Sequence, residues 1–176
     1  MIAKILIAIA VVLAVLAVVI AMRPDEFRVS RSASVAVPPA KVFTQVNDLR
    51  KWEGWSPWAK IDPGMKKNYQ GPEAGAGAGY SWAGNSQVGE GNMTITESRP
   101  DELVRMRLEF LKPFKGTNDV EFTFKPEGNR TVVTWAMSGR NNFMSKAMGL
   151  FMNCEKMVGG QFEQGLSQMK AAAEKS

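Results

Sequence analysis

Hydrophobic positions along the chain fall into three regimes. From Ile5 to Met22 they are continuous, from Phe27 to Ser138 they alternate with polar residues in short runs, and from Asn142 to Glu174 they recur every three or four residues. These patterns predict a lipid-length apolar helix, a set of half-buried strands and an amphipathic helix. In the last segment Phe151, Cys154, Val158, Phe162, Leu166, Met169 and Ala173 share one face, while Lys156, Gln161, Gln164, Gln168 and Lys170 point away. A one-sided stripe of this length has to lie against an apolar surface. Gly159 and Gly160 interrupt it and weaken the helix by about 1 kcal/mol each. A helix boundary or bend is therefore expected between Met152 and Gly160, or a close approach to whatever the helix covers.

The middle regime supplies that surface. Phe27 to Val37 places Phe27, Val29, Ala33, Val35 and Val37 on one face and Arg28, Ser30, Ser32 and Ser34 on the other, which predicts a first strand. Pro38-Pro39 ends it, and Pro39 suits the first turn of a helix that carries Val42, Phe43 and Val46 inward. A second short helix is expected over Leu49 to Gly54. Next comes Trp52-Glu53-Gly54-Trp55-Ser56-Pro57-Trp58, which holds three of the five tryptophans.

Six further strands follow at Lys66–Gln70, Ala78–Trp82, Gly89–Glu97, Val104–Phe110, Asn118–Lys125 and Thr131–Ser138. They are separated by turn dipeptides such as Gly71-Pro72, Gly84-Asn85 and Pro100-Asp101. In the last three, Val104, Met106, Leu108 and Phe110, then Val120, Phe122 and Phe124, then Val133, Trp135 and Met137 alternate with polar or small residues. An antiparallel meander with one apolar and one wet face has this pattern. The glycines at 75, 77 and 79 lead into a strand rather than a helix, so a turn is expected there and not a phosphate cradle.

The apolar run Ile5 to Met22 is about eighteen residues, the lower end of what spans a bilayer, and is longer than the core of a cleaved secretory signal. Residues 1–23 are expected to form a single-pass membrane anchor, with a signal peptide as the rival, and residues 24–176 one domain. Lys4 lies before the run and Arg23, Arg28 and Arg31 after it, a bias towards a cytoplasmic domain. A short amino-terminal tail ahead of a long domain favours the opposite, export to the extracytoplasmic side, which is the reading adopted.

Composition narrows the chemistry. There is no histidine and one cysteine, which removes the commonest general base, the usual metal-ligand sets and any internal disulfide. Cys154 reads as a small buried hydrophobe. The net charge of +5 is spread among acids, with no basic block to suggest nucleic-acid binding. Glu109 and Glu121 alternate with apolar neighbours and should face water. No carboxylate pair, triad or metal set stands out, so no catalytic residue, metal or cofactor is assigned. Eleven methionines suit a pliable apolar interior. Trp52, Trp55 and Trp58 either pack the short helix onto the sheet or form a cavity rim facing the membrane.

The order strand, two short helices, six strands and a long helix resembles the helix-grip fold of START lipid-transfer domains, the birch-pollen allergen and the polyketide cyclase/dehydrase-like proteins, the SRPBCC superfamily. The segments VPPAKVFTQVNDLRKWEGWSPW, GAGAGYSWAGN, VGEGNMTITES and VTWAMSG carry the likeness, and the chain resembles bacterial polyketide cyclase-like proteins with an amino-terminal membrane segment. The resemblance implies an α+β fold in which a curved antiparallel sheet of about seven strands wraps a long carboxy-terminal helix. It further implies an apolar cavity for a lipid-like, isoprenoid or polyketide-like molecule. Met93, Ile95, Met106, Leu108, Phe110, Phe122, Phe124, Trp135, Met137, Phe151, Val158 and Phe162 are the expected ligand-binding residues. The expected partners are the bilayer and a hydrophobic small molecule, with the chain a monomer. A cyclase or dehydratase working in the same cavity and an interaction module with a filled core are the alternatives.

Overall fold

The computed structural model describes residues 1–151 and 153–175, with Phe151 and Cys154 described by backbone alone. The order is α1 (Ile2–Ala21), β1 (Glu26–Val35), α2 (Pro39–Asn47), α3 (Trp52–Trp55), α4 (Pro57–Ile61), β2 (Lys66–Gln70), β3 (Gly79–Ala83), β4 (Glu90–Arg99), β5 (Leu103–Lys112), β6 (Gly116–Glu127), β7 (Arg130–Arg140), α5 (Phe143–Phe151) and α6 (Cys154–Lys175). The strands form one antiparallel sheet in the order β1-β7-β6-β5-β4-β3-β2. This is an α+β helix-grip fold. β2 to β7 meander in sequence, β1 closes beside β7, and register shifts in the β4–β5 pair at Glu90/Gly91 and Ile95/Glu97 add to the twist of the sheet.

Alternation decides the faces. Val120, Phe122, Phe124, Val133, Trp135 and Met137 are buried. The opposite face carries solvated charges: Arg105 donates to Glu121 at 3.0 Å and to Glu97 at 2.7 Å. α6 grips the inner face along β1, where Lys170 Nζ donates to the Ser34 carbonyl at 2.9 Å and Glu174 accepts the Ala36 N–H at 2.7 Å. Its stripe is buried at Phe162, Leu166, Met169 and Ala173. The expected boundary falls at the start of α6, and Gly159 and Gly160 lie inside the helix.

The short helices are divided differently from the sequence expectation. Instead of one helix over Leu49 to Gly54, two one-turn helices occupy Trp52–Trp55 and Pro57–Ile61, because Pro57 starts a new turn at its own first position. Trp52 and Trp55 are buried rather than displayed as a rim, and their indole N–H groups donate to the Val46 and Gln45 carbonyls at 3.0 Å each. The glycine segment is a turn tied down by backbone bonds, with Gly75 N–H donating to Asn47 O at 3.1 Å and Gly77 N–H to Ile95 O at 2.8 Å.

One end of the sheet is set apart by α1. The pairings align Phe27, Gly139, Asn118, Leu108, Met93, Tyr80 and Tyr69 in one cross-strand row near the start of β1. This end, called proximal below, is where α1 enters. The junction is stapled to α5: Lys146 ion-pairs with Asp25, and Asn141 donates from its backbone to Asp25 O at 2.7 Å and from its side chain to Pro24 O at 3.2 Å. Of α1 only Ile20 is buried.

Candidate functional site

The strands supply side chains to the inner face along their whole length, but the helices do not cover that length evenly. Towards the distal end α2 lies on the sheet, with the Phe43 ring edge-on to Phe124 at 5.7 Å, and the space is filled. Towards the proximal end a cavity of about 200 Å³ remains between the sheet, α3 and α4, and the first turns of α6. Met93, Leu108, Phe110, Val120 and Met137 form its floor, Tyr80, Trp82, Gln87 and Val88 one side, and Trp52, Ser56, Trp58, Met65, Val158 and Phe162 the rest. None of the described lining residues is charged. Gln87 is exposed as well as lining, so the cavity reaches the surface at the β3–β4 turn.

Trp135 forms its inner wall. Its ring stacks on Phe162 at 4.1 Å with a 10° interplanar angle and on Phe122 at 4.8 Å with a 30° angle, so both faces are covered. Trp52, Trp55 and Trp58 meet it in T-shaped contacts at 5.9, 5.7 and 5.8 Å. Gly165 makes room for it: a Cβ there would stand 2.7 Å from Trp135 Cζ3. The Trp135 Nε1–H is buried and has no acceptor among the described residues. Leaving such a donor unpaired costs about 1–3 kcal/mol.

Tyr80 adds a second unengaged polar group. No hydrogen bond to its hydroxyl occurs among the described residues, and its ring contacts are with Tyr69 at 5.7 Å and Trp82 at 5.9 Å. Burial pushes its phenol well up, so it stays protonated at neutral pH. Tyr69, outside the cavity, is pushed up to about 12 by burial and by donating to Glu53 at 3.1 Å. Lys67 holds the Glu53 carboxyl below the usual carboxylate range, helped by Tyr69. The titrating groups next to the cavity thus pair with one another on its outer side. Among the described residues no cluster of three or more acidic, histidine or cysteine side chains could hold a metal.

Residues 26–174 match the family model for polyketide cyclase / dehydrase and lipid transport. The chain belongs to that family. No curated protein matches it. Among solved structures, this polyketide cyclase/dehydrase and lipid transport domain is similar to protein MLL2253 from Mesorhizobium loti, at 13% identity and TM-score 0.63 over 85% of this chain and 98% of that one. It is similar to CV1439 from Chromobacterium violaceum at 16% and 0.60, covering 86% and 99%. DynU16, a protein of the dynemicin biosynthetic locus, aligns at 16% and 0.58 over 86% of this chain and 48% of its own. At these identities the likeness is one of fold.

Within this family member the expected ligand-binding residues divide by their place along the strands. Met93, Leu108, Phe110, Trp135, Met137, Val158 and Phe162 line the cavity. Ile95, Met106, Phe122 and Phe124 do not: each is at most 3% exposed and packed into the filled core. They share the inward face with the lining residues, and only the position of the short helices separates the two groups. The side chain of Phe151 lies outside the described residues. The cavity is also lined by Trp52, Ser56, Trp58, Met65, Tyr80, Trp82, Gln87, Val88 and Val120, none of them among the expected ligand-binding residues. Tyr80, Trp82, Gln87 and Val88 lie on the short inner strand β3 and the turn after it, where alternation is weak, although the aromatic pair Tyr80 and Trp82 was a usable signal.

Proposed function

We propose that this chain is a membrane-anchored binding domain whose cavity takes the apolar part of a neutral lipid-like, isoprenoid or polyketide-like molecule. The observation that carries the reading is a cavity with an uncharged, largely aromatic and methionine lining beside the buried Trp135 Nε1–H, which has no acceptor among the described residues, and the half-buried Tyr80. Ligand sites have this character: apolar walls with a few polar groups that fix orientation. At about 200 Å³ the cavity exceeds the roughly 150 Å³ that admits benzene and falls below the roughly 300–1,000 Å³ of sites enclosing drug-sized ligands. It therefore holds one end of a long molecule. That end carries an oxygen able to accept from the indole, and the rest leaves past Gln87. Protonated phenol and neutral indole offer no base, so proton abstraction has no agent in the lining, and binding is favoured over cyclase or dehydratase chemistry.

The anchor is α1. Its 20 residues extend about 30 Å at 1.5 Å per residue, the thickness of a hydrocarbon core. The domain is assigned to the extracytoplasmic side, since a domain of this length translocates largely regardless of the positive charges Arg23, Arg28 and Arg31 that follow α1.

The test is mass spectrometry of molecules retained by the detergent-extracted full chain. A neutral apolar compound at near-equimolar ratio is expected, and Leu108→Trp, which fills the cavity, should abolish its retention. Absence of any such compound, together with no change in tryptophan fluorescence on titration with farnesol or oleyl alcohol, would refute the reading.

A further inference from the structure

The residues that open the cavity and the residues that leave α1 lie at the same end of the sheet. Phe110, Trp82, Gln87 and Val88 line the cavity at or beyond the proximal row, and β1 begins there. Two exposed apolar prongs project from this end. The end of β5 presents Leu111 at 45% exposure and the turn after it Phe114 at 55%, and α5 presents Phe143 at 58% and Met144 at 53%. Apart from Met1, α1, Met22 and Met157, these four are the exposed large hydrophobic residues among those described. α5 follows β7, which stands two strand spacings from β5, about 10 Å across the sheet.

Charge distinguishes this end too. Lys115 in the turn forms no ion pair among the described residues, Arg140 at the end of β7 stands opposite Glu26 and helps Lys146 hold the Asp25 carboxyl low, and Lys112 pairs with Glu90. The junction after α1 is only Met22 to Asp25, held to α5 by Asn141 and Lys146. It cannot act as a swinging tether. Exposed aromatic and aliphatic side chains beside the cations Lys115 and Arg140, fixed at the foot of an apolar helix, suit the headgroup layer of an anionic bilayer.

We infer that the proximal end is a bilayer-docking surface, with Leu111 and Phe114 on one side and Phe143 and Met144 on the other inserted among anionic headgroups, so that the cavity opens onto the membrane. The inference rests on the reading of α1 as an anchor. It commits to lipid as the occupant, because the same chain places an apolar helix of bilayer length beside the patch.

The test uses the full chain in vesicles of phosphatidylcholine with and without phosphatidylglycerol, in a Cys154→Ser background. Fluorophores are placed through Phe114→Cys, Phe143→Cys or, at the distal β6–β7 turn, Asn129→Cys. Labels at 114 and 143 should show a roughly five-fold lower aqueous quenching constant than the label at 129, and quenching by spin-labelled lipid. Lys115→Glu with Arg140→Glu should reduce that protection in the anionic vesicles. If the chain floats with vesicles but labels at 114 and 143 are as open to water as that at 129, docking is refuted and the anchor stands. If the chain does not float, anchor and docking fail together. Protection that follows protein density instead of lipid would mean that a second copy covers the face, which refutes the lipid assignment.

Discussion

Arg31 reaches from β1 across to the notch that Gly159 leaves in α6, and a Cβ at position 159 would collide with its guanidinium. On either side of the notch Glu155 and Glu163 hold that guanidinium, at 2.8 and 2.6 Å, and these carboxylates raise its pKa further, Glu163 most. The glycine that weakens the helix thus admits the cation that fastens it to the edge strand.

Two glycines of α6 should therefore respond differently to alanine. At 159 the obstructing group is the mobile end of an arginine, and the helix gains about 1 kcal/mol of propensity from the substitution. Gly159→Ala should stay within about 1 kcal/mol of the parent and lose part of its salt sensitivity, because the exposed pairs are screened. At 165 the obstructing groups are Trp135 Cζ3 at 2.7 Å and Pro57 Cδ at 3.2 Å, both held in the core. Gly165→Ala should cost about 1–3 kcal/mol. Denaturant titrations at low and high salt separate the two, and equal losses would mean that the aromatic stack yields as easily as the arginine.

Arg31 also shows what the sequence made legible and what it hid. It breaks the apolar series Phe27, Val29, Ala33, Val35 of the inward face, and the break was visible. Its partners were not, since Glu155 and Glu163 lie more than a hundred residues away and sit on the α6 side that adjoins β1. The strands and the stripe of α6 followed from side-chain period, because a pleat and a 3.6-residue turn fix which side faces inward. Period is silent about position along a strand. Leu108 and Met106 are equivalent by alternation, yet one borders the cavity and the other is packed, because α2 to α4 were placed by Pro39, Pro57 and the tryptophan contacts rather than by any repeat.

That division predicts unequal costs of truncation. Phe122 is fully buried and stacked on Trp135, so Phe122→Ala should cost about 3–5 kcal/mol, with or without a bound apolar molecule. Leu108 is half-buried at the cavity wall, where a smaller side chain enlarges an existing space. Leu108→Ala should cost no more than about 2 kcal/mol, recovered in part when a bulkier hydrophobic molecule is supplied. Equal losses at the two positions would mean that the cavity closes in solution.

Alkaline pH should act through the two tyrosines. Tyr69 and Tyr80 both have folded pKa values raised above the ordinary value near 10. The folded state therefore keeps protons that the unfolded chain releases first. The resulting stability is complete below pH about 10 and is lost as pH rises towards the folded values. Tyr80→Phe should leave stability at pH 7 within about 0.5 kcal/mol, since its hydroxyl has no partner among the described residues, and should flatten the loss between pH 10 and 12. Tyr69→Phe should flatten the same limb but also release Glu53. A profile unchanged above pH 10 in both variants would show that neither phenol is held protonated by the fold.

The junction of α1 with the domain gives the last prediction. A cleaved signal has no need of contacts to the folded domain, whereas the end of α1 packs on α5, where Lys146 Nζ donates to the Ala21 carbonyl at 3.4 Å. With α1 retained, the full chain should stay in the membrane pellet through high-salt and carbonate washes. A chain starting at Met22 should be released, with unchanged near-ultraviolet dichroism from its tryptophans. In intact cells the domain should be cut by protease added after the outer barrier is opened, because export is the reading adopted. A mature amino terminus near Met22 would replace the anchor with a signal, and protection of the domain in spheroplasts would place it in the cytoplasm. Lys146→Ala should leave the pellet assignment intact while exposing the Arg23–Asp25 segment to proteolysis, since Asn141 alone would then hold it to the start of α5.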